Sequence, residues 1–247
     1  MWLRRKFHSL VDLRRLLIYN INMTKKFQTP TPEYHTIPEP NDIFNNILAD
    51  HFKGYTGRFL GIGANVGLDW GFPLLDRGWS GIYCEPDPIA CSQLIQNTEK
   101  YRDRVSVVNS AIMPTGGLRP FYLSLNSSFL SSMHSDWLET VLSYNNNNQW
   151  DQNPKKVSIL TNSISFQEFI NYIGKDFDLI VIDTEGFDVE IAMSVDWSQF
   201  TKCTLISLEH GFPEVYPSSN IIEQLYNQGS FILTTITPGH AVYKKII

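Results

Sequence analysis

Apolar and polar positions follow two alternating patterns from about residue 58 onward. Short apolar runs predict buried strands, at 58–62, 81–84, 105–109, 177–182 and 204–208. Apolar residues three and four apart predict helices, at 68–76, 88–100, 187–195 and 220–227. The chain closes on apolar runs at 231–236 and 241–246 around the turn 237–240. This alternation predicts an α/β fold with a mostly parallel sheet, helices on both faces and an antiparallel C-terminal hairpin.

The N-terminal segment has a different character. Residues 2–19 carry apolar side chains at helical spacing, and residues 1–26 hold seven basic residues against one acidic residue. Four prolines mark 28–41 as an extended linker. The predicted organisation is therefore a basic extension (1–27), a linker (28–41) and a domain (42–247). The extension could contact an anionic membrane surface, or pack on its own domain, or fray.

The region 112–155 interrupts the alternation. Strand-like runs at 120–125 and 156–161 flank a polar tract that contains four consecutive asparagines, 145–148. Long irregular segments in compact domains are often functional. Two interpretations of this region are open: it forms a lid over a substrate pocket, or it is a variable insertion.

Composition limits the classes of function. The 247 residues are 43% hydrophobic, enough for one packed domain. The net charge is −5 although the N-terminal 26 residues carry +6, so the rest is acidic, which disfavours nucleic acid as a partner. Three cysteines without metal-ligand spacing indicate a reducing compartment, the cytoplasm. No apolar run reaches the roughly 20 residues that span a bilayer.

A glycine-rich turn follows the first strand, in the stretch 58–67. Glycines allow the backbone to approach a ligand closely, and the next helix offers free N–H groups. From Gly61 the sixth position is Val66, whereas a dinucleotide fingerprint needs glycine there. The spacing weighs against a nicotinamide-dependent oxidoreductase and suits a cofactor whose amino-acid part sits on the turn.

Polar residues end the next two strands. Glu85 stands 22 residues after Gly63, where a carboxylate can accept both hydroxyls of a ribose. Asn109, Ser110 and Ala111 end the third strand, where they could contact an adenine edge or form an ordinary turn.

Acidic residues end the two later strands. Asp183 and Glu185 follow the strand 177–182, and Glu209 and His210 follow the strand 204–208. They could supply a general base or hold a divalent cation. The alternative for this acidic segment is that Glu185 and Asp188 stabilise the N-terminus of the next helix, and the alternative for His210 is a structural role.

Together these segments resemble the FkbM-type family of S-adenosylmethionine (SAM)-dependent methyltransferases, from about Arg58 to the C-terminus. The family's Asp-Ile-Gly-Ala-Asn-x-Gly loop reads here Gly61-Ile62-Gly63-Ala64-Asn65-Val66-Gly67. Its acidic-Pro motif appears as Glu85-Pro86, its Asp-x-Glu-Gly segment as Asp183-Thr184-Glu185-Gly186, and a later Glu as Glu209.

The resemblance implies a Rossmann-like seven-stranded sheet, SAM as cofactor and methyl transfer to a hydroxyl of a small molecule, sugar or glycan. The candidate cofactor-binding residues are Gly61, Gly63, Ala64, Asn65, Gly67, Glu85, Pro86, Asn109, Ser110, Ala111 and Asp183. The candidate catalytic residues are His210, Glu185 and Glu209.

One position departs from the family pattern. The loop Asp of the family is Gly61 here. A carboxylate at that position would help to hold the ammonium group of SAM or to order the loop. In this chain Asp183 or backbone carbonyls take over that role, or SAM binding is weakened. A non-catalytic member that acts as a binding or scaffold protein is therefore the alternative function.

Overall fold

The computed structural model describes residues 41–67, 70–124, 131–135, 156–209, 219–237 and 239–246, within a compact unit from Glu39 to Ile247. The predicted extension (1–27) and the linker up to residue 40 lie outside the described residues. So does most of the 112–155 region, whose lid hypothesis stays a prediction. No helix among the described residues is long and apolar enough to cross a membrane.

The described elements alternate between strand and helix for most of the chain. The helices are α1 (Asn41–His51), α2 (Gly71–Asp76), α3 (Pro88–Asn97), α4 (Phe166–Ile173), α5 (Asp188–Met193) and α6 (Ser219–Gly229). The strands are β1 (Arg58–Ile62), β2 (Ser80–Cys84), β3 (Val105–Val108), β4 (Ala111–Met113), β5 (Gly117–Ser124), β6 (Lys156–Ser165), β7 (Leu179–Ile182), β8 (Leu205–Glu209), β9 (Phe231–Ile236) and β10 (His240–Lys245).

Seven strands form one sheet in the order β3-β2-β1-β7-β8-β10-β9. The first five strands of this order are parallel to one another. Strand β10 is antiparallel to both β8 and β9. This order confirms the predicted Rossmann-like α/β fold with a mostly parallel seven-stranded sheet and an antiparallel C-terminal hairpin.

Both faces of the sheet are covered. Neighbouring side chains on a strand point to opposite faces, so Phe59 and Leu60 of β1 enter two different hydrophobic cores. Helices α1, α2 and α3 contribute to the core around Phe59. Helices α4, α5 and α6 contribute to the core around Leu60. Burial on both faces explains why the central strand β7 is an unbroken apolar run.

A second, three-stranded sheet has the order β4-β6-β5. Its long pair, β5 and β6, matches the two predicted strands, although β6 continues to Ser165. The hydroxyl of Ser165 then accepts the backbone N–H of Glu168 and so caps α4. The sequence did not predict β4, because three buried residues are too short to display a strand period.

Candidate active site at the carboxyl edge

One row of residues crosses the large sheet just beyond the ends of its parallel strands. The last paired residues of β1, β2 and β7 are in register, and β7 is in register with β8. The next residues therefore share a row, which β10 joins through its pairing with Glu209. This row, called the carboxyl edge below, consists of Gly63, Glu85, Asp183, Glu209 and His240. Ligands of open α/β sheets bind at this edge.

Gly63 allows β1 and β7 to approach each other closely. Its φ is +79°, and a Cβ atom built there would lie 1.6 Å from the carbonyl oxygen of Asp183. The backbone N–H groups of Gly63 and Ala64 both donate to the carbonyl of Cys84, at 2.9 and 3.0 Å. Only glycine fits this position, because any side chain would collide with backbone rather than with a movable group.

Glu85 holds the glycine turn from the neighbouring strand. Its carboxylate accepts the backbone N–H of Asn65 at 2.6 Å and that of Asp87 at 2.8 Å. The first bond fixes Asn65 in a left-handed conformation, with φ at +46°. Burial raises the pKa of Glu85 to about 8, although the two N–H groups oppose that shift. The carboxyl group proposed for ribose recognition thus also orders the turn.

The remaining glycine-loop candidates divide between the turn and the strand. Gly67 has a φ of +73°, and its N–H donates to the carbonyl of Ala64 at 2.9 Å, which closes the turn. Pro86 is half-buried beside Glu85. Gly61 lies inside β1, where a Cβ atom would be 2.9 Å from Cζ2 of Trp70. The buried Trp70 indole occupies the space beside the backbone where the family carries its Asp.

The three adenine-contact candidates point in different directions. The side-chain amide of Asn109 donates to the carbonyl of Glu85 at 2.8 Å, beside the carboxyl edge. The hydroxyl of Ser110 donates to the carbonyl of Asn162 at 3.0 Å, and Ala111 is buried at the start of β4. Ser110 and Ala111 thus face the second sheet. Of the three side chains, only that of Asn109 lies beside Glu85, and the adenine role stays a prediction.

Three carboxyl groups meet at the ends of β7 and β8. Oxygens of Asp183, Glu185 and Glu209 lie within 4.8 Å of one another, and all three residues are half-buried. Burial and the neighbouring Asp183 raise the pKa of both Glu185 and Glu209. No Lys or Arg forms a salt bridge with them within the described part of the chain. Such a group can accept a proton, or could hold a divalent cation through its oxygens.

Asp188 supports this group from the first turn of α5. Its carboxylate accepts the backbone N–H groups of Thr184 at 3.0 Å and Gly186 at 3.3 Å. Burial raises the pKa of Asp188 to about 8, with Asp183 as a second cause. Asp188 lies in the first turn of α5, where the predicted alternative has it, but its two hydrogen bonds hold the loop before the helix. Glu185 instead joins Asp183 and Glu209.

A histidine that the sequence analysis did not select also reaches the carboxyl edge. His240 pairs with Glu209, and its Nδ1 lies 3.2 Å from the hydroxyl oxygen of Ser207. Its ring stacks on Phe44 of α1, with the ring centroids 4.7 Å apart. The sequence offers no signal for this placement, since it arises from the pairing of β10 with β8. The candidate His210 lies outside the described residues.

The stability of the protein should fall as the pH rises from 5 to 8.5. The folded-state pKa values of Glu85 and Asp188, about 8, exceed the ordinary values near 4. Their contribution is therefore complete below about pH 4 and is lost as the pH rises through 8, at up to about 1.4 kcal/mol per pH unit and group. Melting temperatures across this range check it. Glu85→Gln should flatten the slope, and a melting temperature that rises with pH would contradict the prediction.

This chain is similar to known proteins over the region that contains the site. A family model described as the methyltransferase FkbM domain matches residues 61–233. The match includes the glycine turn, Glu85 and the three carboxylates. A comparison with curated protein sequences gave no match.

Solved structures of several methyltransferases are similar to this chain. A putative RNA methyltransferase from Pyrococcus horikoshii has 14% identity and a TM-score of 0.45, covering 90% of this chain and 91% of its own. A precorrin-6y C5,15-methyltransferase from Geobacter metallireducens has 12% identity and a TM-score of 0.46, covering 82% and 87%. The SAM-bound magnesium protoporphyrin IX methyltransferase from Synechocystis has 8% identity and a TM-score of 0.45, covering 83% and 78%.

The family match extends over well more than half of the chain, from the end of β1 to the start of β9. The chain belongs to the FkbM methyltransferase domain family.

Proposed function

We propose that this protein transfers the methyl group of SAM to a hydroxyl oxygen of a small-molecule, sugar or glycan acceptor. The observation that carries the proposal is the carboxyl edge of a methyltransferase-family chain, where the glycine turn and Glu85 adjoin three clustered carboxylates. The acidic body of the chain disfavours a nucleic-acid acceptor.

The part of the carboxyl edge around Gly63 and Glu85 suits SAM as a ligand. The methionine part would lie against the turn at Gly63, Ala64 and Asn65, whose backbone N–H groups are held by Cys84 and Glu85. Glu85 can accept ribose hydroxyls, because each carboxylate oxygen keeps a lone pair beyond the one used by a backbone N–H. Asp183 adjoins the turn and takes over the ammonium contact that a loop Asp would make.

The chemistry is a single in-line displacement. The acceptor oxygen forms a bond to the methyl carbon while the bond from that carbon to sulfur breaks, and the sulfonium becomes a neutral thioether. The acceptor's proton passes to the carboxylate of Glu185, whose raised pKa makes it a better base near neutral pH. Alignment of the two reactants supplies most of the rate.

Calorimetric titration with SAM and with S-adenosylhomocysteine tests the cofactor assignment. We expect binding near micromolar, about −8 kcal/mol. Glu85→Ala should weaken it by at least about tenfold, since the variant loses the ribose contact and the anchor of the turn. Glu99→Ala, at an exposed carboxylate in a 3₁₀ turn, is the matched control. A folded protein that binds neither compound would refute the proposal.

The second candidate function is a non-catalytic binding or scaffold protein. The observation that favours it is the occupation of the space beside Gly61 by the Trp70 indole. The same titration separates the two functions. A binding protein that has lost the cofactor would fold normally and show no heat with SAM, whereas an enzyme would bind SAM and then transfer its methyl group in an acceptor screen.

Gly61→Asp should destabilise the protein and not improve SAM affinity. A Cβ atom there would lie 2.9 Å from Trp70 and 3.0 Å from Tyr83, and the carboxylate would be buried among aromatic rings. We expect a loss of about 2–4 kcal/mol from overpacking and from burial of an unpaired charge. Chemical denaturation measures it. The double variant with Trp70→Ala should recover part of the loss, and an additive further loss would show that the indole is not the obstacle.

A further inference from the structure

Ser132 is a fully buried residue that connects the second sheet to the carboxyl edge. Its backbone pairs with Tyr122 of β5 in both directions. The N–H of Tyr122 donates to Ser132 at 2.8 Å, and the N–H of Ser132 donates back at 3.0 Å. These two bonds fix the main chain of Ser132 on β5, outside the large sheet.

The hydroxyl of Ser132 points to the acidic segment that follows β7. It donates to the backbone carbonyl of Glu185 at 2.6 Å and accepts the backbone N–H of His134 at 2.9 Å. The ring of His134 lies near Phe187, with the centroids 5.4 Å apart. One buried hydroxyl thus joins the segment 131–135 to the peptide group of a candidate catalytic residue.

Glu185 needs such a support because its backbone is in an uncommon conformation. Its φ is +55°, a left-handed value that costs free energy for a residue with a side chain. In this conformation its carboxylate meets Asp183 and Glu209. Asp188 holds the neighbouring N–H groups of Thr184 and Gly186, and Ser132 supplies the donor on the carbonyl of Glu185 itself. We expect that loss of this donor lets φ of Glu185 relax, so that the carboxylate turns away from the other two.

We propose that Ser132 is a positioning residue that holds the catalytic carboxylate of Glu185 in place. The inference rests on the proposed function, in which Glu185 takes the acceptor's proton. With this role the second sheet contributes to the active site, because Ser132, which pairs with β5, sets the position of the Glu185 carboxylate. Ser132 itself contacts neither reactant in this mechanism.

Steady-state kinetics of Ser132→Ala test this role. We expect kcat to fall about tenfold or more, since a displaced base loses its alignment, while the dissociation constant for SAM stays unchanged. Ser131→Ala is the matched control, because the hydrogen bond described for the Ser131 hydroxyl is the one it accepts from the N–H of Ser124, not one to Glu185. In a Glu185→Gln background, Ser132→Ala should cause no further loss. Equal losses in both backgrounds would overturn the proposal.

A stability cycle tests the same contact without any catalytic activity. Glu185→Gln should raise the unfolding midpoint at pH 8 by removing a charge from the cluster. That gain should shrink in the Ser132→Ala background, where the carboxylate has already left its neighbours. Equal gains in both backgrounds would refute the positioning role, even if methyl transfer were never detected. Should Ser132→Ala not fold, Ser132→Cys keeps the shape with a weaker donor and takes its place.

Discussion

Gly63→Ala is expected to abolish SAM binding and to destabilise the fold severely. The new methyl group would lie 1.6 Å from the carbonyl oxygen of Asp183, so β1 and β7 would have to separate at the carboxyl edge. The left-handed φ of +79° adds a conformational cost. We expect a loss toward the upper end of about 2–5 kcal/mol, from overpacking of about 1–3 kcal/mol and a backbone cost of about 1–2 kcal/mol. Denaturant unfolding and SAM titration measure both effects.

Gly54→Ala separates the two causes of that loss. Gly54 also has a left-handed φ, +71°, but no atom lies within 4 Å of its would-be Cβ. This variant should lose only the backbone part, about 1–2 kcal/mol, and keep its affinity for SAM. Similar losses in the two variants would show that the close approach of β1 and β7 is not what requires glycine at position 63.

Glu185→Gln is expected to remove methyl transfer while making the protein more stable. The amide cannot accept the acceptor's proton as a carboxylate does, and loss of a general base lowers rates by about 10²- to 10⁴-fold. The charge that is removed is one that burial and Asp183 oppose, as the raised pKa shows. The measurements are turnover with a known acceptor, SAM titration and thermal unfolding at pH 8. The affinity for SAM should change little.

Glu190→Gln is the matched control, from the helix α5 that follows Glu185. Glu190 is exposed, and it lies outside the three-carboxylate group. Its replacement should leave turnover and melting temperature unchanged. If Glu185→Gln kept full turnover, the base would have to be another residue of the carboxyl edge, and His240 beside Glu209 would be the first to replace. If Glu185→Gln lowered stability, the repulsion inferred for the cluster would be wrong.

The large sheet was predictable because its strands are covered on both faces. Runs such as 179–182 contain no polar residue, and only a strand buried between two helical layers needs such a run. The boundaries of the helices were less predictable. The helix predicted from residue 68 is described only from Gly71, and the one predicted over 187–195 spans Asp188–Met193, because local signals fix helix ends loosely.

Much of the candidate site was also predictable, since parallel strands present their following residues at one edge. Gly63, Glu85, Asp183 and Glu209 were each selected from the strand that precedes them, and the register places them in one row. Which of the candidate residues lie at the carboxyl edge was not fully predictable. Ser110 and Ala111 follow the third strand in sequence, yet they face the second sheet, which forms through residues some 50 positions away.

The sequence by itself determined the fold class, the glycine turn and the acidic strand ends, because each depends on a local pattern of a few residues. Only the tertiary structure decided which of these residues meet. The placement of His240 depends on the register of β10 with β8, and the contact of Ser132 with Glu185 joins two separate sheets. The occupation of the space beside Gly61 by Trp70 is likewise a packing result. Such contacts arise from the packing of distant segments, which leaves no periodic signal along the chain.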